Sequence, residues 1–513
     1  MRHLYLLVGM VIWSSCSTSI PTLEENARQT HIPSSFRNLK ALSTPQTATK
    51  TGDSKISINL QNTQDSQEQP FSLQQFMILI DDKQLHNILY LALEKNTNVL
   101  TMISRIKQAK SQMKINTANM FPTINVGLNS SYIDNRTLSQ STIVRPGANS
   151  INANISMSWE VDLFGKLNAL RQSSKKAYLQ AQSNLNFAQI SLIAEVATLY
   201  FTLRDNAYSL AIAESTLKNL EQIQAINTDK YKLGLIDVST YQGFVANTTT
   251  QKNNYEMLSY TFEQNKNALL TLLNTSIDEI TQQVDFLDST KHWTFPRIAD
   301  FYIENMPSDI LLSRPDIQAS IYALHAQLYK QTNAKAARLP TISLSGSIGD
   351  ILYSTNANSI GSIVFQIANS ITAPLLNRTS LKQNYLIQKE LSNEAYYTLQ
   401  NNVNIALGEV ENALFDIQSK KNQLQNTQNM YDIGTKAYES NSAKNKRGLL
   451  DTNDFLSTEN TYLNLQSQLH NAKINEILSL ITLFKALGGN LALQVSETTQ
   501  SLPKQSFIQG SKQ

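Results

Sequence analysis

Two hydrophobic periods divide the chain. In Ile151-Asn152-Ala153-Asn154-Ile155-Ser156-Met157-Ser158-Trp159 every odd position is apolar and every even one is Asn or Ser. Ile124, Val126 and Leu128 alternate with Asn125, Gly127 and Asn129, and Ile342, Leu344 and Ile348 alternate with Ser343, Ser345 and Ser347. Ile363, Phe365 and Ile367 alternate with Val364, Gln366 and Ala368. A period of two gives a strand one face for lipid or a core and one for water. Strands are therefore predicted at about 122–133, 151–159, 340–349 and 362–371. Their length is near the ~9–11 residues that a membrane strand needs, and Tyr132 and Trp159 lie at strand ends, where interface aromatics belong. Soluble hairpins show the same alternation, so the pattern alone leaves both settings open.

The other period is helical. No proline falls between Pro146 and Pro296 or between Pro374 and Pro503, and no glycine between Leu167 and Leu233. Proline costs ~3 kcal/mol inside a helix, so its absence permits very long ones. A helix over that glycine-free stretch would be roughly 95 Å long. Leu203, Leu210 and Leu217 fall at seven-residue spacing, with Ala213 and Leu220 three places on, a local heptad seam. An extended coiled coil or rod is expected; a long amphipathic helix in a soluble bundle is the other reading.

The chain also repeats itself. Lys232-Leu233-Gly234-Leu235-Ile236-Asp237 returns as Lys446-Arg447-Gly448-Leu449-Leu450-Asp451, and Phe121-Pro122-Thr123-Ile124 returns as Leu339-Pro340-Thr341-Ile342. Leu163-Phe164-Gly165-Lys166 has a weaker echo in Leu375-Leu376-Asn377-Arg378. Each half should run short helix, strand, loop, strand, very long helix, turn, long helix. Four candidate membrane strands cannot close a barrel, because bacterial barrels start at eight and an open sheet edge is not tolerated in lipid. If these strands enter a membrane, several chains must share one barrel.

Composition narrows the choice. The net charge is only +3 and charged residues make up 16% of the chain, with no basic stripe, which argues against nucleic acid. The six histidines lie without ligand spacing and no phosphate loop or nucleophile elbow is present, so no enzyme, cofactor or metal chemistry is expected. Residues 1–15 read as a signal peptide: Met1-Arg2-His3 is basic, and the apolar run Leu4 to Trp13 is too short to span a bilayer. Ser14-Ser15-Cys16 resembles a lipoprotein cleavage box, with Trp13 at the place usually held by Leu, and makes Cys16 the candidate for covalent lipid. An ordinary secretory signal with an incidental cysteine is the alternative. Residues 16–75, rich in Ser, Thr, Gln and Asn, read as an extended tether.

Three further stretches are specific: Ser158-Trp159-Glu160-Val161-Asp162-Leu163-Phe164-Gly165-Lys166, Ser313-Arg314-Pro315-Asp316-Ile317, and Phe484-Lys485-Ala486-Leu487-Gly488-Gly489. With them the chain resembles the TolC family of outer-membrane efflux channels, in its lipoprotein branch of OprM, CusC and NodT-like proteins. The resemblance implies a mainly α fold with a membrane β-barrel: long periplasmic coiled-coil hairpins, and four β-strands per chain shared in a trimeric twelve-stranded barrel. It implies efflux repeats at 76–275 and 311–490, an equatorial connection at 276–310 and a tail at 491–513. It implies a lipid-anchored protein of a Gram-negative outer membrane that extends into the periplasm. Its partners would be a periplasmic adaptor, an inner-membrane pump of the resistance-nodulation-division class, and outer-membrane lipid. The function implied is a passive trimeric conduit for drugs or toxic compounds. A duct for type I protein secretion shares the fold and stands as the alternative, and a periplasmic coiled-coil scaffold without a pore is a third reading.

Residues follow from that picture. Asn152, Asn154, Ser343 and Ser345 would line a watery barrel lumen. The turns at Gly234, Leu235 and Asp237 and at Gly448 and Leu449 would be hairpin tips where the adaptor docks. By the family's pattern Asp451 and Asp454 match an Asp-x-x-Asp gate, and Arg447 is a candidate latch to a neighbouring tip. In a trimer each aspartate would form a ring of three carboxylates whose pKa values are pushed apart and partly raised. The plainer reading is a helix N-cap after a glycine turn. It is favoured for Asp237, whereas two aspartates at the second turn favour the gate.

Overall fold

The structure is a computed structural model and describes residues 71–134, 137–139, 142–144, 147–278, 294–298, 309–355 and 359–489. Cys16, the signal stretch, nearly all of the tether, most of the equatorial connection and the tail lie outside those residues. In chain order the elements are α1 (Phe71–Leu79), β1 (Ile80–Asp81), α2 (Lys83–Lys95), α3 (Thr97–Ala118), β2 (Thr123–Asp134), β3 (Thr137–Ser139), β4 (Thr142–Val144), β5 (Gly147–Val161), α4 (Lys166–Lys232) and α5 (Val238–Leu273). Then come β6 (Arg297–Ile298), α6 (Asp309–Ser313), α7 (Pro315–Ala336), β7 (Thr341–Thr355), β8 (Ser359–Thr372), α8 (Arg378–Lys446) and α9 (Thr452–Ala486). The described residues fall into two compact units. One takes residues 103–183 and 317–402, and the other takes residues 71–102, 184–316 and 403–489. Each unit thus draws matching segments from both halves of the duplicated sequence.

In the first unit β2, β5, β7 and β8 form one antiparallel sheet in that order. β2 has the expected length, whereas β5, β7 and β8 run longer than the alternation suggested, β5 from Gly147 to Val161 and β7 on to Thr355. Register pairs like with like. Gly127 faces Asn154, which faces Gly349, and Asn125 faces Ser156, which faces Ser347 and then Gln366. One step along, Val126 faces Ile155, which faces Ile348 and then Phe365. Directly opposed residues share a face, so the sheet has one mainly polar and one mainly apolar side, with Val364 and Ala368 of β8 on the polar side and Asp350 of β7 on the apolar one. Ile124, Val126, Ile363, Phe365 and Ile367 on the apolar side are exposed. Asn154 presses so closely on the neighbouring strand that a Cβ at Gly127 would stand 2.5 Å from its Oδ1. Within one chain β2 and β8 remain edges.

The strand-to-helix joint after β5 is a capping device. Asp162 accepts the backbone N–H of Leu167 at 3.0 Å and of Asn168 at 2.7 Å, satisfying the otherwise orphaned first turn of α4. Gly165, at φ 72°, makes the turn between them. Lys166 pairs with Glu160 at 2.5 Å, and the Trp159 indole donates to the Met120 carbonyl at 2.9 Å. The helices of this unit pack through small and polar contacts. Ser173 donates to the Ala326 carbonyl at 2.8 Å, Asn333 to the Lys166 carbonyl at 2.8 Å, and Asn402 to Ser320 at 2.8 Å.

The second unit carries the larger apolar core. Phe76, Leu85, Ile88, Tyr200, Phe201, Leu203 and Phe484 are fully or almost fully buried, and Phe76 meets Phe484 edge to face at 5.0 Å. α4 and α8 span 67 and 69 residues, roughly 100 Å of helix each at 1.5 Å per residue. α4 includes an 18-residue window apolar enough by composition to cross a membrane. Ile190, Ile193, Val196, Ala197 and Tyr200 are buried, which accounts for much of its apolar character. Of the heptad residues, Leu203 and Ala213 are buried, while Leu210, Leu217 and Leu220 are half-buried.

Candidate functional site

Two five-residue turns, Leu233–Asp237 and Arg447–Asp451, reverse the long helices of the second unit. Each begins with the same C-terminal lock. Gly234 N–H donates to the Tyr231 carbonyl and Leu235 N–H to the Lys230 carbonyl, both at 2.9 Å. Gly448 and Leu449 repeat this on Asn445 and Lys444, also at 2.9 Å. This 6→1 plus 5→2 pair is a Schellman motif, which needs a left-handed residue. Gly234 and Gly448 supply it at φ 71° and 70°. Lys230 and Lys232 end α4, as Lys444 and Lys446 end α8, where cations complement the helix dipole.

Each turn closes on an aspartate N-cap. Asp237 accepts the Thr240 backbone N–H through Oδ1 and the Thr240 hydroxyl through Oδ2, both at 2.9 Å. Asp451 accepts the Asn453 N–H at 3.2 Å, and its other oxygen accepts a hydrogen bond from Lys230 at 3.3 Å. The cap reading therefore holds for Asp451 as well as Asp237, and the presence of two aspartates does not separate cap from gate. Asp454 sits in the exposed first turn of α9, where its charge favours the helix N-terminus. The Asp237 carboxyl is held below the usual carboxylate range, first by the Thr240 N–H and then by its hydroxyl. The Asp451 carboxyl is held low first by the Asn453 N–H and then by Lys230. Within one chain Asp451 thus moves in the opposite direction to that expected of a crowded carboxylate ring.

Lys230 joins the first hairpin to the second and was not singled out in the sequence. Below it the same seam continues: Asn219 donates to Glu459 at 3.1 Å and to Asn460 at 3.0 Å, and Asp205 receives His470 at 3.1 Å and Asn471 at 3.0 Å. α8 and α9 are tied by stacked tyrosines. Tyr438 and Tyr462 lie 4.6 Å apart, and the hydroxyl of Tyr431, hydrogen-bonded at 3.0 Å, pushes Tyr462 up to about 12. Arg447 is exposed, and among the described residues its side chain makes no ion pair. Leu233, Leu235 and Leu449 are exposed apolar residues at the turns.

The structure also joins two of the specific sequence stretches to each other. Arg314 is buried, grips Asp316 through Nε at 3.0 Å and Nη2 at 2.7 Å, and reaches Glu409 at 2.8 Å. Its Nη1 donates to the Ala486 carbonyl at 2.7 Å, in the last turn of α9. Burial opposes its charge, but Asp316 and then Glu409 outweigh this and raise its proton affinity. Gly488, at φ 66°, lets the chain pass: a Cβ there would stand 3.0 Å from Arg314 Cγ. Neither stretch alone announces this contact, because the partners are 172 positions apart.

The strand residues are brought together on one side. Asn152 and Asn154 share the polar sheet face with Ser343 and Ser345, Ser345 opposing Ser158 and Ser343 opposing Glu160. Such a face offers neutral donors and acceptors and one carboxylate.

The family described as outer membrane efflux protein matches residues 88–275 and 306–489. The toluene efflux pump outer membrane protein TtgC of Pseudomonas putida is 25% identical over 433 residues, 82% of this chain and 86% of that protein. The solvent efflux pump outer membrane protein SrpC of Pseudomonas putida is 26% identical over 422 residues, 80% of this chain and 86% of that protein. The CmeC outer membrane channel of Campylobacter jejuni shares the fold, with a TM-score of 0.70 at 22% identity over 89% of this chain and 96% of that one.

Proposed function

The chain belongs to the outer membrane efflux protein family, and from that premise we propose that three copies form the passive outer-membrane conduit of a tripartite pump. The observation that carries this reading is the sheet. It has one mainly polar and one mainly apolar face, and it ends in the open edges β2 and β8. Open edges are not stable in lipid, whereas three such sheets joined edge to edge would close a twelve-stranded barrel. Asn152, Asn154, Ser343 and Ser345 would then face water, and the apolar side would face acyl chains. A mostly neutral polar wall, with Glu160 its one carboxylate among the described residues, offers little to hold a charged solute, and the driving force comes from the pump.

The turns supply the closed state in this reading. Three copies of Asp451 and Asp454 would form carboxylate rings that favour cations and resist anions. Lys230 on Asp451 and the exposed Arg447 would hold the tips. The apolar Leu235 and Leu449 beside Gly234, Asp237 and Gly448 would receive the periplasmic adaptor, with a pump of the resistance-nodulation-division class behind it. The cargo proposed is small toxic organic compounds, following the toluene and solvent efflux named for the relatives; those names favour efflux over protein secretion. Cys16 would carry the lipid anchor, and Cys16→Ala should abolish palmitate incorporation. The conduit itself is tested by reconstitution. Discrete conductance steps in planar bilayers, from a trimer that heating converts to monomer, are expected. A heat-insensitive monomer without conductance would leave the scaffold reading.

A further inference from the structure

All four strand ends at one edge of the first unit carry exposed large apolar residues outside the sheet. Register places the first residues of β2 and β7 and the last residues of β5 and β8 at that edge, since Thr123 faces Ser158, Val161 faces Ile342 and Thr341 faces Thr372. Phe121 and Leu339 stand two residues before their strands, Leu163 two residues after β5, and Leu375 and Leu376 shortly after β8. All are exposed, and Leu376 fully so at 103%. The arrangement recurs in both halves of the duplication, so it is not one stray loop. A cation follows closely on the helix side. Exposed Arg338 precedes Leu339 and lies 5.5 Å from the Tyr385 ring centre, and exposed Arg378 stands two places after Leu376. Among the described residues Arg378 makes no ion pair.

Apolar sheet face, apolar joint and then arginine is the order of environments met on leaving acyl chains for lipid phosphates. We propose that these joints form a collar seated in the adjoining phospholipid leaflet, with Phe121, Leu163, Leu339, Leu375 and Leu376 among the upper acyl chains and Arg338 and Arg378 on the phosphates. The collar rests on the barrel reading above but goes beyond it. It assigns lipid contact to loop and helix-start residues that no membrane strand requires, and it fixes how deep the barrel sits.

The test uses nitroxide labels in full-length trimers carrying Cys16→Ser, reconstituted in vesicles of phosphatidylethanolamine and phosphatidylglycerol. Labels go at Ile367→Cys on the apolar sheet face, at Leu376→Cys, and at Leu233→Cys, an exposed leucine of a hairpin turn. Oxygen concentrates in lipid and a nickel chelate stays in water. The oxygen-to-nickel contact ratio is expected to be severalfold higher at positions 367 and 376 than at 233, with 376 the shallower of the two. A ratio at 376 equal to that at 233 while 367 stays high overturns the collar and leaves the barrel standing. A label at 376 shielded from both reagents, as under a second copy, overturns it too. A low ratio at 367 as well removes the barrel reading itself. Arg338→Gln with Arg378→Gln should lower the preference of spin-labelled phosphatidylglycerol over phosphatidylcholine, and an unchanged preference overturns the phosphate contact.

Discussion

Leu233–Asp237 and Arg447–Asp451 share a left-handed glycine, the same pair of backbone hydrogen bonds and an aspartate cap, yet the third residue of the following helix is Thr240 in one and Asp454 in the other. Thr240 occupies both oxygens of Asp237, so the first cap is self-contained. Asp454 has no hydroxyl to offer. The free oxygen of Asp451 takes Lys230 from the first hairpin instead. A single position therefore separates a local cap from one that clasps its neighbour and sets a second carboxylate beside it. Equal backbones can serve unequal purposes because the difference lies in where one carboxylate oxygen is spent.

The largest effect should come from removing the carboxylates. Asp451→Ala with Asp454→Ala should raise single-channel conductance of reconstituted trimers severalfold, while Asp237→Ala leaves it unchanged. Equal effects at both turns would dissolve the distinction. Next come the glycines, where the turns should behave alike. Gly234→Ala and Gly448→Ala each force a side chain into the left-handed region at a cost of about 1–2 kcal/mol. Both should speed amide exchange around their own turn, read by hydrogen-exchange mass spectrometry.

The smallest effect separates the turns again. Lys230→Gln removes an exposed ion pair worth about 0.2–1 kcal/mol, and only from the second turn. Both capping carboxylates titrate below their unfolded value. Their stabilisation is therefore complete above the unfolded pKa of about 4 and is lost as pH falls through the folded one. Without Lys230 the Asp451 value rises toward normal, so acid should loosen the second turn at a higher pH than in the parent chain. The first turn should loosen at the same pH as before. Exchange protection of the two turn peptides against pH reads both.

Much of this was legible along the chain. The alternation at Ile151–Trp159 marked the strand and its two faces because every position obeys the period, and the glycine spacing marked both turns. The outer part of β7 was not legible. Asp350 falls on the apolar face and Ile351 on the polar one, which breaks the alternation while the backbone pairing continues. Resemblance supplied the aspartates, but Lys230 could not be read. It lies 221 positions from Asp451, and only hairpin packing brings the two together. The same holds for Arg314, whose motif is local while its partners Glu409 and Ala486 are remote.

If the polar sheet face lines the conduit, its alternate positions are reached from the water inside. Single cysteines at Asn152, Ala153, Asn154 and Ile155, in the Cys16→Ser chain, can be treated with a charged water-soluble thiol reagent while conductance is recorded. Current should fall at positions 152 and 154 and not at 153 and 155. Block at 153 and 155 instead, or at all four alike, would contradict that lining.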